Sequence, residues 1–226
     1  MTAPLTDSLG NPVTLRDESS LAAINDFVEG FIACEARAVN VLQAQADASP
    51  LVQAYCAALH MFAESADAPR NARPFIQQAL AHAHQASERE QRFVAAVAAW
   101  VDGDLPRAIA LHEEQARLHP RDLASLKLGQ YHLFNRGDSP AMLRLALQAQ
   151  HAAADVPYLH GMLAFGWEQC HRLKEAEAAA RRAKEMNSYS DYKPGSATAE
   201  YRSYVEEAVQ LAERQKARVD PMHHEK

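Results

Sequence analysis

From Leu21 onward the apolar positions recur at three- and four-residue intervals, and the phase resets wherever Gly, Pro, Asp or Ser cluster. That spacing puts them on one face of a helix rather than on alternate sides of a strand. Leu21, Ile24, Phe27, Val28 and Phe31 form the first such face, behind Ser19-Ser20, whose hydroxyls are suited to cap it. A second helix is predicted around Val39, Val41 and Leu42, stopping before Ser49-Pro50. A third over about 50–65 buries Leu51, Tyr55, Leu59 and Phe62, and a fourth over about 71–85 buries Phe75, Ile76, Ala79 and Leu80. Six more follow at 88–101, 105–118, 122–135, 139–152, 157–170 and 173–186. Pro106, Pro140 and Pro157 fall in first helical turns, where a missing N–H costs nothing. Ahead of all these, residues 1–18 carry Pro4, Gly10, Asn11 and Pro12 and read as an extended or turn-rich lead-in.

The helices repeat. Gly103-Asp104 and Gly137-Asp138 each stop one helix and open the next, and they stand 34 residues apart. A helix-turn-helix unit of that period is the tetratricopeptide one. In such a unit a small residue marks the crossing of the two helices and a Pro follows twelve positions later, a spacing that Ala108 and Pro120 meet. Steps close to the same period reach Ala38, Ala72, Met142 and Ala176. The predicted fold is therefore all-α. It is an α-solenoid of about five degenerate tetratricopeptide-like helix pairs over 19–187, followed at 188–226 by a turn, a capping helix and a flexible tail. Over 198–217, Tyr201, Tyr204, Val205, Ala208 and Leu211 share one stripe and Glu206, Glu207, Arg214 and Lys216 lie opposite, as expected of a helix covering a solenoid end.

Composition narrows the function classes. The chain is 48% hydrophobic and 23% charged, an ordinary balance with ample apolar residues for a core. Its net charge of −6 leaves no basic stripe for displacing counterions, so nucleic acid is not an expected partner. Cys34, Cys56 and Cys170 are odd in number and far apart, which suits free thiols in a reducing compartment. With no basic and apolar leader and no run long enough for a membrane span, the expectation is a cytoplasmic protein without a membrane partner.

Several long strings resemble the tetratricopeptide repeat protein 38 family: DSLGNPVTL from Asp7, FVEGF (Phe27–Phe31), FVAAVAAWVDGD (Phe93–Asp104), HPRDLASLKLGQYHLFNRGD (His119–Asp138) and VPYLHGMLAFGWEQCHRLKEAE (Val156–Glu177). The resemblance covers roughly residues 5–186 and implies an α-solenoid acting in protein interaction, with no established catalytic activity. From Asn187 the sequence departs from the family's pattern, and the resemblance implies nothing there.

In tetratricopeptide arrays the first helix of each unit lines a concave groove. That phase puts Phe93, Val97 and Trp100 inward on one helix, Lys127, Tyr131, Phe134 and Asn135 on the next, and Tyr158, Phe165, Glu168 and Gln169 on the third. Lys127, Tyr131 and Asn135 share a face at i, i+4 and i+8. A cation, a phenol and an amide beside aromatic rings are equipped to hold a peptide backbone, an acidic side chain or a chain terminus. The predicted partner-binding groove is thus Trp100, Lys127, Tyr131, Asn135, Tyr158, Glu168 and Gln169, while Phe134, Phe165 and Trp167 read as core. At Arg121-Asp122 the Asp is predicted to cap the following helix and the Arg to pair with a neighbouring carboxylate.

Catalytic signals are absent: there is no phosphate loop, nucleophile elbow or paired zinc motif. The 11 histidines include no i, i+4 pair, so neither metal nor cofactor is expected; Cys170 reads as a small buried hydrophobe. The leading expectation is a non-enzymatic scaffold that binds a protein or peptide. A small-molecule binder or weak enzyme using His132, His160 or Glu168 is the alternative, and homodimerisation through a solenoid end is a third.

Overall fold

The computed structural model describes residues 4–188. All its regular elements are helical: α1 (Leu21–Ala33), α2 (Pro50–Met61), α3 (Ala68–His82), α4 (Glu88–Val101), α5 (Leu105–Leu118), α6 (Leu123–Asn135), α7 (Ser139–Ala149), α8 (Pro157–Gln169) and α9 (Leu173–Ser188). The helix predicted over 198–217 lies outside the described residues.

The helix starts follow their sequence signals. Ser87 and Glu90 close a capping box on α4. Asp104, Asp122 and Asp138 accept from the backbone N–H of Arg107, Ser125 and Ala141, satisfying donors that have no partner inside the helix. The Gly-Asp stops work as read: Gly103 and Gly137 take φ of +80° and +74°, a turn conformation that glycine adopts without steric cost.

Several boundaries differ from expectation. The second predicted helix is a 3₁₀ run, Ala36–Ala44. Val39, Asn40 and Val41 are weak α-formers, and the run lies so close to α1 that a Cβ on Gly30 would stand 2.6 Å from the Ala38 nitrogen. The entry to α1 is ordered by Asp17, which accepts from Ser19 N–H, whereas Ser20 makes no side-chain cap bond. Finally, α2 stops at Met61 and α7 at Ala149, short of the predicted 65 and 152.

Helices pack in hairpins, α2 on α3, α4 on α5, α6 on α7 and α8 on α9, and each hairpin meets the next in chain order. Ala72, Ala108, Met142 and Ala176, the residues reached by the sequence period, are all buried. This neighbour-on-neighbour packing is consistent with a helical repeat.

One element breaks the order. Helix α1 packs on its own 3₁₀ run and also against α6, far along the chain. The lead-in accompanies it as an ordered strap, with Asp7, Leu9, Asn11 and Val13 buried. Glu90 accepts from both the backbone N–H and the hydroxyl of Thr14, at 2.7 and 2.8 Å. Arg89 donates to the Pro12 carbonyl and to Asp122, each at 2.8 Å. Arg121 donates to the Leu9 carbonyl and forks onto Asp155 at 2.6 and 3.0 Å, so the Arg-Asp junction ties strap and repeats together.

Candidate interaction face

A row of rings runs from α1 across the ends of α2, α4 and α6. Phe27 stacks on Tyr55 with centroids 4.2 Å apart, and Phe31 meets Phe62 at 5.0 Å. Phe62 then touches Trp100 at 5.2 Å and Tyr131 at 4.8 Å. Such pairs contribute roughly 0.5–1.5 kcal/mol each beyond their buried area.

The stripe on α6 is where the predicted groove can be judged. Lys127 Nζ donates to the Ile32 carbonyl at 2.7 Å and lies 2.9 Å from Cys34 Sγ, above the Phe31 ring. It therefore caps the C-terminal end of α1, where carbonyls lack partners and a cation is favoured. Tyr131 donates its hydroxyl to Glu64 at 2.5 Å. Burial first, and the Glu64 carboxylate second, push its phenol up to about 12. The chain itself occupies both residues.

The other predicted groove residues divide. Trp100 is almost wholly enclosed, packed edge-on against His132 at 4.8 Å. Tyr158 is half-buried against the core, Glu168 and Gln169 are half-buried in the last turn of α8, and Asn135 is exposed. The core expectation for Phe134 and Phe165 is overturned: they are 46% and 36% exposed and stack on each other at 5.3 Å. Trp167 is half-buried, beneath the Arg172 guanidinium at 5.8 Å. Cys170 is half-buried at the end of α8 rather than enclosed.

The acid–base candidates are not brought together. His132 is buried beside His112, ring centroids 5.7 Å apart, and neither Nε2 has a hydrogen-bond partner. His112 Nδ1 is 2.7 Å from the Ser125 hydroxyl. Burial pushes His132 down to about 4, and burial with the neighbouring His132 pushes His112 down to about 3. His160 faces the Ala154 carbonyl at 3.0 Å, and Glu168, eight residues along the same helix, is about 12 Å further on. Among the described residues no group of three or more His, Cys, Asp or Glu is placed to hold a metal, and no helix is long and apolar enough to cross a membrane.

Sequence reasoning missed Glu64, Ile32 and Cys34 as the partners of Tyr131 and Lys127. One sign was present. Helix α1 carries Leu21, Ala22, Ala23, Ile24, Phe27, Val28, Phe31 and Ile32, apolar over more than one face, which implies neighbours on two sides. No family model matches the chain, and no solved structure matches it.

Proposed function

We propose that this protein is a non-enzymatic interaction scaffold, a tetratricopeptide-like α-solenoid whose inner face takes a helical segment of a partner protein beside α1. The observation that supports this reading is the exposed Phe134–Phe165 pair. It continues the α6 stripe of Lys127, which meets the end of α1, and Tyr131, which meets Phe62 and Glu64. Clustered aromatic rings at the edge of a packed seat are the composition of a binding hot spot, and a face that accepts one amphipathic helix suits another. Asn135, Glu168 and Gln169 would supply the polar rim, with Tyr158 beneath. The resemblance to the tetratricopeptide repeat protein 38 family favours the same class of activity, and three free cysteines suit the cytoplasm.

The test is quantitative affinity capture with the wild-type chain, a Phe134→Glu/Phe165→Glu double variant, and a Leu118→Glu control at another exposed apolar residue. A partner retained by wild type and control but lost from the double variant is the expected result. Partners held equally by all three proteins would overturn the reading.

A further inference from the structure

Two nucleophiles 93 residues apart in sequence meet where α1 ends on α6. We propose that Cys34 and Lys127 form a reversible covalent bridge, a redox clamp in which hydrogen peroxide joins Sγ to Nζ and fastens the end of α1 to α6.

The geometry carries the argument. Lys127 Nζ lies 2.9 Å from Cys34 Sγ. Two further contacts hold the amine in that place: it donates to the Ile32 carbonyl at 2.7 Å and stands 5.4 Å from the centroid of the Phe31 ring. The backbone that carries the sulfur is fixed as well. Cys34 takes a φ of +58°, the left-handed turn that glycine usually fills at a helix end, and its N–H bonds to the Gly30 and Phe31 carbonyls. Cysteine there carries a steric cost that glycine would avoid, and such costs concentrate where a side chain is used.

Exposure separates this thiol from the others. Cys34 is exposed, Cys170 is half-buried and Cys56 is enclosed. Cys56 donates to the Val41 carbonyl at 3.6 Å, and burial pushes its thiol up to about 12, which closes it to oxidants. A dissolved peroxide therefore reaches the Cys34 sulfur with an amine already beside it.

The chemistry balances in two steps. Hydrogen peroxide gives one oxygen to Sγ, its O–O bond breaks, and the thiol becomes a sulfenic acid with release of one water. Lys127 Nζ, having passed a proton to solvent, then attacks Sγ. An S–N bond forms, the S–O bond breaks, and the hydroxyl leaves with an amine proton as a second water. Sulfur loses the two electrons that peroxide gains, and the product is a sulfenamide, which a sulfenic acid forms with a nitrogen at hand. Two equivalents of an added thiol cut the S–N bond, restore Cys34 and Lys127, and leave as a disulfide.

The experiment oxidises the full chain with hydrogen peroxide, blocks remaining thiols with N-ethylmaleimide, and maps peptides by mass spectrometry before and after dithiothreitol. The expected result is a link between the peptides containing Cys34 and Lys127, about 2 Da lighter than the two together and cleaved by the reductant. Lys127→Arg retains a cation but should abolish the link and leave Cys34 as a sulfenic acid trapped by dimedone. Cys34→Ser should abolish both products. Amide exchange in the last turn of α1 should slow by roughly tenfold in oxidised wild type and stay unmoved by peroxide in Lys127→Arg. Dimedone labelling of Cys34 in wild type at the level seen in Lys127→Arg would overturn the bridge. So would a disulfide between the Cys34 residues of two copies as the main product, or oxidation of Cys170 with Cys34 intact. The clamp and the scaffold fail separately, since neither Phe134 nor Phe165 enters this chemistry and its readout needs no partner.

Discussion

Lys127 and Phe134 lie two turns apart on one stripe of α6, and their surroundings differ completely. At the Lys127 end, α1 supplies a carbonyl and a ring, and the turn after α2 supplies the Glu64 carboxylate for Tyr131. At the Phe134 end, the ring leans on Phe165 and faces water. The helix face that carries both residues is the same. What separates them is where a helix from nearly a hundred residues earlier comes to rest. An inward-facing position in a helical repeat is thus a binding residue only after the chain's own claims on it are known.

The covered end depends most on the buried joint beneath the strap. Asp122 accepts from Arg89 and Gln115, both at 2.8 Å, and caps α6. Asp122→Ala leaves the Arg89 cation buried without its partner and should cost about 3–5 kcal/mol, read from urea unfolding. Amide exchange in residues 7–14 should rise with it, and an unchanged strap would detach that joint from the covered face.

Acid should act on the same end. Both His112 and His132 ionise near pH 6.5 in the unfolded chain but only near 3 and 4 in the fold, so between these limits the unfolded state binds more protons. Stability is then full above about pH 6.5 and falls as the pH drops towards 4, by up to about 1.4 kcal/mol per pH unit for each ring. Urea midpoints of wild type and His132→Phe between pH 7 and 4.5 check it, the variant showing the shallower slope; parallel slopes would count against it.

Lys127→Met removes the cap on α1 and should cost about 1–2 kcal/mol, with faster exchange concentrated in the last turn of α1. Phe134→Ser, two turns away, should cost under about 1 kcal/mol, since its ring is half in water. Equal losses from these two changes, measured side by side, would erase the distinction between the covered and open ends.

Much of the architecture was legible in local chemistry. Gly103, Gly137 and the Asp residues that follow them are read by their own backbones within a few positions, so hairpins and period emerged from short strings. Asp122 as a cap and Arg121 as the partner of a carboxylate were likewise visible. The strap was not, because Asn11, Pro12 and Gly10 signal only that the chain turns; the side chains that fasten it, Glu90, Arg89 and Arg121, lie some 75 to 110 residues away in sequence. The fates of Phe134 and Phe165 were misread for a related reason. Large aromatic residues at core spacing are core only where something covers them, and both of these rings are exposed.

The contact between α1 and α6 also sets a timetable. During synthesis α1 emerges about 100 residues ahead of Lys127 and Tyr131, a delay of roughly 5–20 s at ordinary elongation rates. For that interval Phe31 and the carbonyl end of α1 lack their final neighbours, while the later hairpins need only the chain just made. The hairpins can therefore assemble in order behind the ribosome, while the first helix waits for the sixth before its end is covered.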